Sequence, residues 1–242
     1  MKKVLAISLL ITMSFTCFAD DTHWKYKGKH GPEHWGEEFA LCASGVNQSP
    51  INISTSKAIQ ADLPPLVVDY HKSSAKEFNN GHTIQADISG DNTFTSDAGK
   101  FNLLQFHFHA PSENTIDGKH FPLEAHFVHA DKDDRLAVIS VMLEQGKQNK
   151  ELEKVWEHMP ETEHSKAYLI EALSTAKLLP KEKSYYRFNG SLTTPPCTEG
   201  VRWFVLKDTI EASKVQIDKF RRVMGIDTNR PLQALNARVV LK

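Results

Sequence analysis

Two histidines in Gln105-Phe106-His107-Phe108-His109 have the types and spacing best suited to chemistry in this chain. In a β-strand, side chains at i and i+2 share a face. His107 and His109 therefore project together, while Phe106 and Phe108 point the other way. Two imidazoles on one strand make half of a metal site. A third comes from Leu123-Glu124-Ala125-His126-Phe127-Val128-His129, a second strand-like run in which Glu124 and His126 share a face. Three neutral imidazoles suit a zinc ion that keeps its fourth position for water, the catalytic rather than the structural arrangement. A His-x-His pair taken alone is a weak signal, because strand histidines with hydrogen-bonded rings have the same spacing.

The elements that would position these residues are short. Turn signals recur at Asn79-Asn80-Gly81, Ser89-Gly90-Asp91-Asn92, Asp97-Ala98-Gly99, Asp117-Gly118 and Asn189-Gly190. Between them lie strand-like runs at 66–70, 83–88, 103–109, 124–129, 136–143 and 201–206, the pattern of one large, mostly β domain. No linker, repeat or low-complexity tract divides it. Two helices stand out. Leu152, Val155, Trp156 and Met159 recur at helical spacing until Pro160. Ser213 with Gln216 reads as a capping box, followed by the apolar stripe Ile217, Phe220, Met224 and a stop at Gly225. Both are expected to pack on the sheet rather than to carry function.

The N-terminus reads differently. Lys2 and Lys3 precede an apolar run from Val4 to Ile11, and the segment closes on Cys17-Phe18-Ala19. That is the pattern of a secretory signal peptide over 1–19, too short and wrongly flanked for a membrane span. The folded domain would occupy 20–242. Lipid attachment at Cys17 fits poorly, since Phe15 and Thr16 are not the small residues such a site needs. No later stretch is long and apolar enough to cross a membrane. Without Lys2 and Lys3, 27 of the 29 basic residues face 30 acidic ones, a net charge of −3. With no basic block or face, nucleic acid is excluded as the expected partner. Beyond the leader only Cys42 and Cys197 remain, an even count suited to an oxidising compartment. They are either two buried thiols or one bridge, which would close a loop of about 150 residues and stabilise the fold by up to about 5 kcal/mol.

Four stretches occur in one order: Asn79-Asn80-Gly81-His82, Gln105 to His109, Ser112-Glu113-Asn114 through Glu124-Ala125-His126, and Gly190-Ser191-Leu192-Thr193-Thr194-Pro195-Pro196-Cys197. Together they resemble the α-class carbonic anhydrases. The resemblance runs from Trp24-Lys25-Tyr26 and Gly31-Pro32-Glu33-His34-Trp35, past Asn47-Gln48-Ser49-Pro50-Ile51, to Asn229-Arg230-Pro231. The leader and the cysteine pair look like the bacterial exported branch, placing the protein in the periplasm or outside the cell.

The resemblance implies a central, largely antiparallel twisted sheet of about ten strands flanked by short helices. It implies one zinc per chain on His107, His109 and His126, with Gln105 and Glu124 orienting the ligand rings. Zinc-bound hydroxide would attack CO₂ and give bicarbonate. The expected pKa of the zinc-bound water, about 7, is the general value for carbonic anhydrases and comes with the resemblance. Thr193 would donate a hydrogen bond to Glu113 and accept a hydrogen bond from the hydroxide. Thr194 would touch bicarbonate, and Val128, Val138, Leu192, Val201 and Trp203 would form the apolar wall for CO₂. His82 would export the proton, through waters ordered by Tyr26, Asn80 and Gln85. Two departures from the animal pattern stand out: Gln85 in place of asparagine, and Ala110 in place of tryptophan. Sulfonamides and small anions are expected at the zinc, with CO₂, bicarbonate and water as substrates. Oligomeric state is left open between monomer and homodimer. His129 falls on the face opposite His126 and reads as a structural hydrogen-bonder. Two other readings compete: a non-catalytic carbonic-anhydrase-like binding module, and an exported zinc esterase.

Overall fold

The computed structural model describes residues 24–242; the signal peptide expected over 1–19 lies outside them. The architecture is an 11-stranded twisted sheet, one strand more than the expected ten or so. Across its main path the strands run Lys166–Tyr168, Ala75–Asn79, Ile84–Ile88, Gly99–His109, Leu123–Ala130, Leu136–Gln145, Glu199–Leu206, Tyr185–Ser191. Most neighbours are antiparallel. Leu136–Gln145 departs from this, pairing in parallel with both Glu199–Leu206 and Ile210–Ala212.

Two apolar clusters sandwich the sheet. On one face Phe94, Phe101, Phe106, Phe108, Phe127 and Phe204 are essentially solvent-free, each contributing roughly 2–3 kcal/mol of burial. Both expected helices cover this face. Lys150–Glu157 is capped by Asn149, whose side chain accepts from the N–H groups of Glu151 and Leu152. Lys214–Met224 has the full Ser213/Gln216 capping box and ends at Gly225, whose φ of 69° suits glycine. Trp156 and Phe220 from these helices meet the Phe108 ring. The other face holds Ile51, Ile53, Val128, Val138, Phe188, Val201 and Trp203.

Leu123–Ala130 is buried at every position, because it is a central strand covered on both faces. Its polar residues, Glu124, His126 and His129, are therefore enclosed and need internal partners. His129 finds them in the Tyr70 hydroxyl, 2.5 Å away, and the Ala137 carbonyl, which agrees with its structural reading.

Cys42 and Cys197 are bonded across 155 residues. The bridge lies beside Gln48 and Arg230: the Gln48 side chain donates to the Cys197 carbonyl, and Arg230 Nη2 donates to the Cys42 carbonyl. Reduction under native conditions is expected to lower Tm by several degrees, because the unfolded chain regains a long loop. Differential scanning calorimetry with and without reductant checks this; an unchanged Tm would remove the bridge from the stability account.

Glu77 faces the apolar side of Ala75–Asn79 with no exposed surface and no hydrogen bond to either carboxyl oxygen. Burial pushes its carboxyl up to about 8, with the Lys219 ammonium pulling the other way. The folded pKa lies above the unfolded value of about 4.3. Stability is thus full below that value and falls as pH rises through about 8. Glu77→Leu is expected to flatten this loss and raise Tm at pH 9 by roughly 5 °C, with little gain at pH 5. Parallel Tm–pH curves for the two proteins would contradict it.

Candidate active site

Register brings the three histidines together. His107 on Gly99–His109 stands directly opposite His126 on Leu123–Ala130, and His109 lies two residues on along the same face. Their ring centroids are 4.6–5.3 Å apart. One nitrogen from each lies within 4.8 Å of the others. They line a cavity of about 240 Å³ together with His82, Tyr26, Thr193, Thr194 and an apolar wall of Val128, Val138, Leu192 and Trp203.

Each ring is oriented from behind. His107 Nδ1 donates to Gln105 Oε1 at 2.8 Å, and His109 Nδ1 donates to the Thr228 carbonyl at 2.5 Å. His126 Nε2 sits 2.9 Å from Glu124 Oε1. Three opposite nitrogens are thus left for a metal, two Nε2 and one Nδ1. His109 Nε2 is buried without a hydrogen-bond partner, an arrangement that costs free energy unless a ligand arrives. Burial holds the His107 and His109 rings neutral, far below the usual imidazole range for His107, where the two neighbouring imidazoles add to the effect. Neutral, converging imidazoles are the donor set zinc requires, so these residues fit the metal.

Glu124 is the anchor behind them. It accepts from the N–H groups of Glu113 and Asn114, the Asn114 side chain and the Ser140 hydroxyl, all within 2.8 Å. Burial alone would raise its pKa; His126 and these donors bring it down to about 2. The carboxylate stays ionised and holds its imidazole in one tautomer. Glu113 differs. Burial pushes it up to about 7 against the pull of His126, the Arg230 N–H and the Thr193 hydroxyl. Its Oε1 accepts from the Arg230 N–H at 2.9 Å, while Oε2 lies 3.5 Å from His109 Nε2. A divalent cation nearby would favour its ionised form. The Thr193 turn is held by Trp203, whose indole N–H donates to the Ser191 carbonyl at 3.1 Å.

His82 lines the same cavity, half-buried, its ring stacked on Trp24 with centroids 3.6 Å apart and planes 11° from parallel. Asn80 Oδ1 accepts from the N–H groups of His82 and Thr83, so this oxygen shapes the turn that presents the histidine. Gln85 lines the cavity, but its amide donates to Asp87 Oδ1 at 2.6 Å. The Tyr26 hydroxyl is buried without a hydrogen-bond partner and kept neutral by burial and by Glu113. Val201 departs from the expected wall. It packs in the core with Phe188 and Trp203 and stands outside the residues that border the cavity; two residues from Trp203, it shares that strand face.

Sequence reasoning missed four contributors: the Thr228 carbonyl, Asn114, Ser140 and Trp24. Trp24 and Asn114 lie within stretches already singled out. Thr228 sits just before Asn229-Arg230-Pro231, and a backbone carbonyl leaves no mark on residue type.

A profile of the Eukaryotic-type carbonic anhydrase family matches residues 30–242. A carbonic anhydrase of Neisseria gonorrhoeae is 47% identical, covering 99% of this chain and 96% of its own. One from Pectobacterium carotovorum is 45% identical over the whole of both chains. Among solved structures, the α-carbonic anhydrase from Thermovibrio ammonificans, in complex with sulfanilamide, is 53% identical with a TM-score of 0.88, covering 91% of this chain and 99% of its own. With these matches extending along the strands and turns that build the histidine site, the chain belongs to the α-class carbonic anhydrase family.

Proposed function

We propose that the protein is an exported zinc enzyme whose cavity residues divide the family's reaction, reversible CO₂ hydration, into three tasks. The observation that carries this reading is the convergence of three imidazoles in a cavity with one apolar wall. Bound there, zinc supplies a water acidic enough to act as a hydroxide-strength nucleophile near neutral pH.

The first task is substrate placement. CO₂ is apolar, and Val128, Val138, Leu192 and Trp203 offer it a surface beside the histidines. Thr194 borders the same space and would meet bicarbonate. The second task is aiming. With its proton directed to Glu113, the Thr193 oxygen accepts a hydrogen bond from the attacking group and turns a lone pair toward carbon. The third is proton export. Passing a proton from a group of pKa about 7 directly to water is uphill by roughly 12 kcal/mol, a ceiling on the order of 10⁴ turnovers per second. An imidazole removes most of that slope. His82 in the cavity wall is the acceptor, with Tyr26, Asn80 and Gln85 lining the route.

The leader at 1–19 would direct export, with the domain beginning at residue 20. The Cys42–Cys197 bridge is compatible with a periplasmic or secreted protein. Sulfonamides should bind, since the Thermovibrio relative carries sulfanilamide. Weak cleavage of activated esters would be a side reaction of the same nucleophile. Zinc analysis with stopped-flow CO₂ hydration on one preparation tests the reading. One zinc per chain and fast hydration are expected. A folded, zinc-loaded protein without hydration would support the binding-module alternative instead.

A further inference from the structure

We propose that a groove on the sheet face away from the histidines is a binding site for a phosphate group. The groove is lined by Arg187, Arg202, Arg238, Asn47, Asn189 and the glycines 190 and 200. Side chains alternate along Glu199–Leu206. Trp203 faces the active-site cavity, so Arg202 and Phe204 face the reverse side. Arg187 stands opposite Phe204 and Asn189 opposite Arg202 in the register with Tyr185–Ser191. Arg187 and Arg202 are therefore diagonal neighbours, roughly 7–8 Å apart at their backbones. At that spacing two guanidinium forks can close on one tetrahedral anion.

Both forks are set in advance. Arg187 lies over the Phe204 ring at 5.3 Å and Arg202 over the Phe101 ring at 5.9 Å. Such stacking steadies a planar cation and leaves its N–H edges free to donate. Arg187 Nε is buried with no hydrogen-bond partner, and the acid beside it, Asp97, stays 3.7 Å away. A buried charged donor in that state is costly until an acceptor arrives. Arg238 has a different part. It donates to the carbonyls of Asn189, Ala234 and Leu235, so it braces the groove wall while adding its charge to the field. Gly200, at φ 91°, would carry a side chain into open space, so its absence keeps the groove unobstructed. Among the described residues, the three guanidiniums face Asp97 and Glu199 as local counter-charges, which favours an incoming dianion.

Phosphate fits better than a carboxylate. Its three terminal oxygens can accept from two forks at once, whereas one carboxylate is satisfied by a single bidentate arginine. The site does not depend on the metal centre or on the reaction assigned to it.

Isothermal titration of the full protein at constant ionic strength tests the proposal, with inorganic phosphate for the free ion and glycerol 3-phosphate for an ester. Saturable one-to-one binding of either is expected. Arg202→Gln and Arg187→Gln should each weaken it at least tenfold, and Arg202→Lys should weaken it less than Arg202→Gln. CO₂ hydration should be unchanged in all three variants. If Arg187→Gln fails to fold, the two Arg202 variants decide the matter. Absence of saturable binding, or binding that survives in Arg202→Gln, overturns the proposal; a site at the metal centre would behave in the latter way.

Discussion

Alanine at His107, His109 or His126 is expected to abolish stoichiometric zinc binding and lower kcat/KM for CO₂ hydration by about 10³-fold or more. Zinc needs three neutral donors converging from two strands, and each of these rings is fixed by its own partner: Gln105, the Thr228 carbonyl or Glu124. No other histidine or cysteine joins the cluster among the described residues, so none can replace a lost ligand. The several kcal/mol of charge stabilisation that a catalytic metal contributes would disappear with it. The fold should survive, because both apolar clusters and the disulfide are untouched. Metal analysis, circular dichroism and stopped-flow hydration on each variant check this. Near-normal zinc and activity in any one would sink the site assignment.

His82→Ala and Thr193→Ala should fail in different ways. His82, which stacks on Trp24 and lines the cavity, is proposed to receive a proton and to take no part in attack on CO₂. Its loss should lower kcat by roughly 10²-fold in weak buffer, at the low end of general acid–base effects. kcat/KM should scarcely change, because bond formation precedes proton export. Imidazole buffers should restore kcat in proportion to concentration. Thr193, hydrogen-bonded to Glu113, is proposed to aim the nucleophile, so Thr193→Ala should depress kcat/KM by roughly 10²-fold, the cost of a misplaced reacting group. Buffer should not rescue it. Full kcat for His82→Ala in weak buffer would assign proton export to another group and leave the zinc reading intact.

Much of this protein is legible in its residues alone. The i, i+2 spacing puts His107 and His109 on one face, since strand pleating fixes side-chain direction without reference to the rest of the chain. The Ser213/Gln216 box, Gly225 and the stripe around Trp156 mark both helices, because capping and helical periodicity are local. Strand pattern also offers His126 as a third imidazole, while resemblance adds Thr193 and His82, which no periodicity could have joined to it. Tertiary structure decided the rest. It set the register that places His126 opposite His107, and it brought the Thr228 carbonyl under His109 from 119 residues away. Val201 was packed against Phe188 and Trp203, Asn80 Oδ1 was taken up by the turn before His82, and Glu77 was enclosed without a hydrogen-bond partner. Local patterns record which way a side chain points. Which strand lies beside it, and which backbone carbonyl it meets, depends on long-range pairing that a single sequence does not encode position by position.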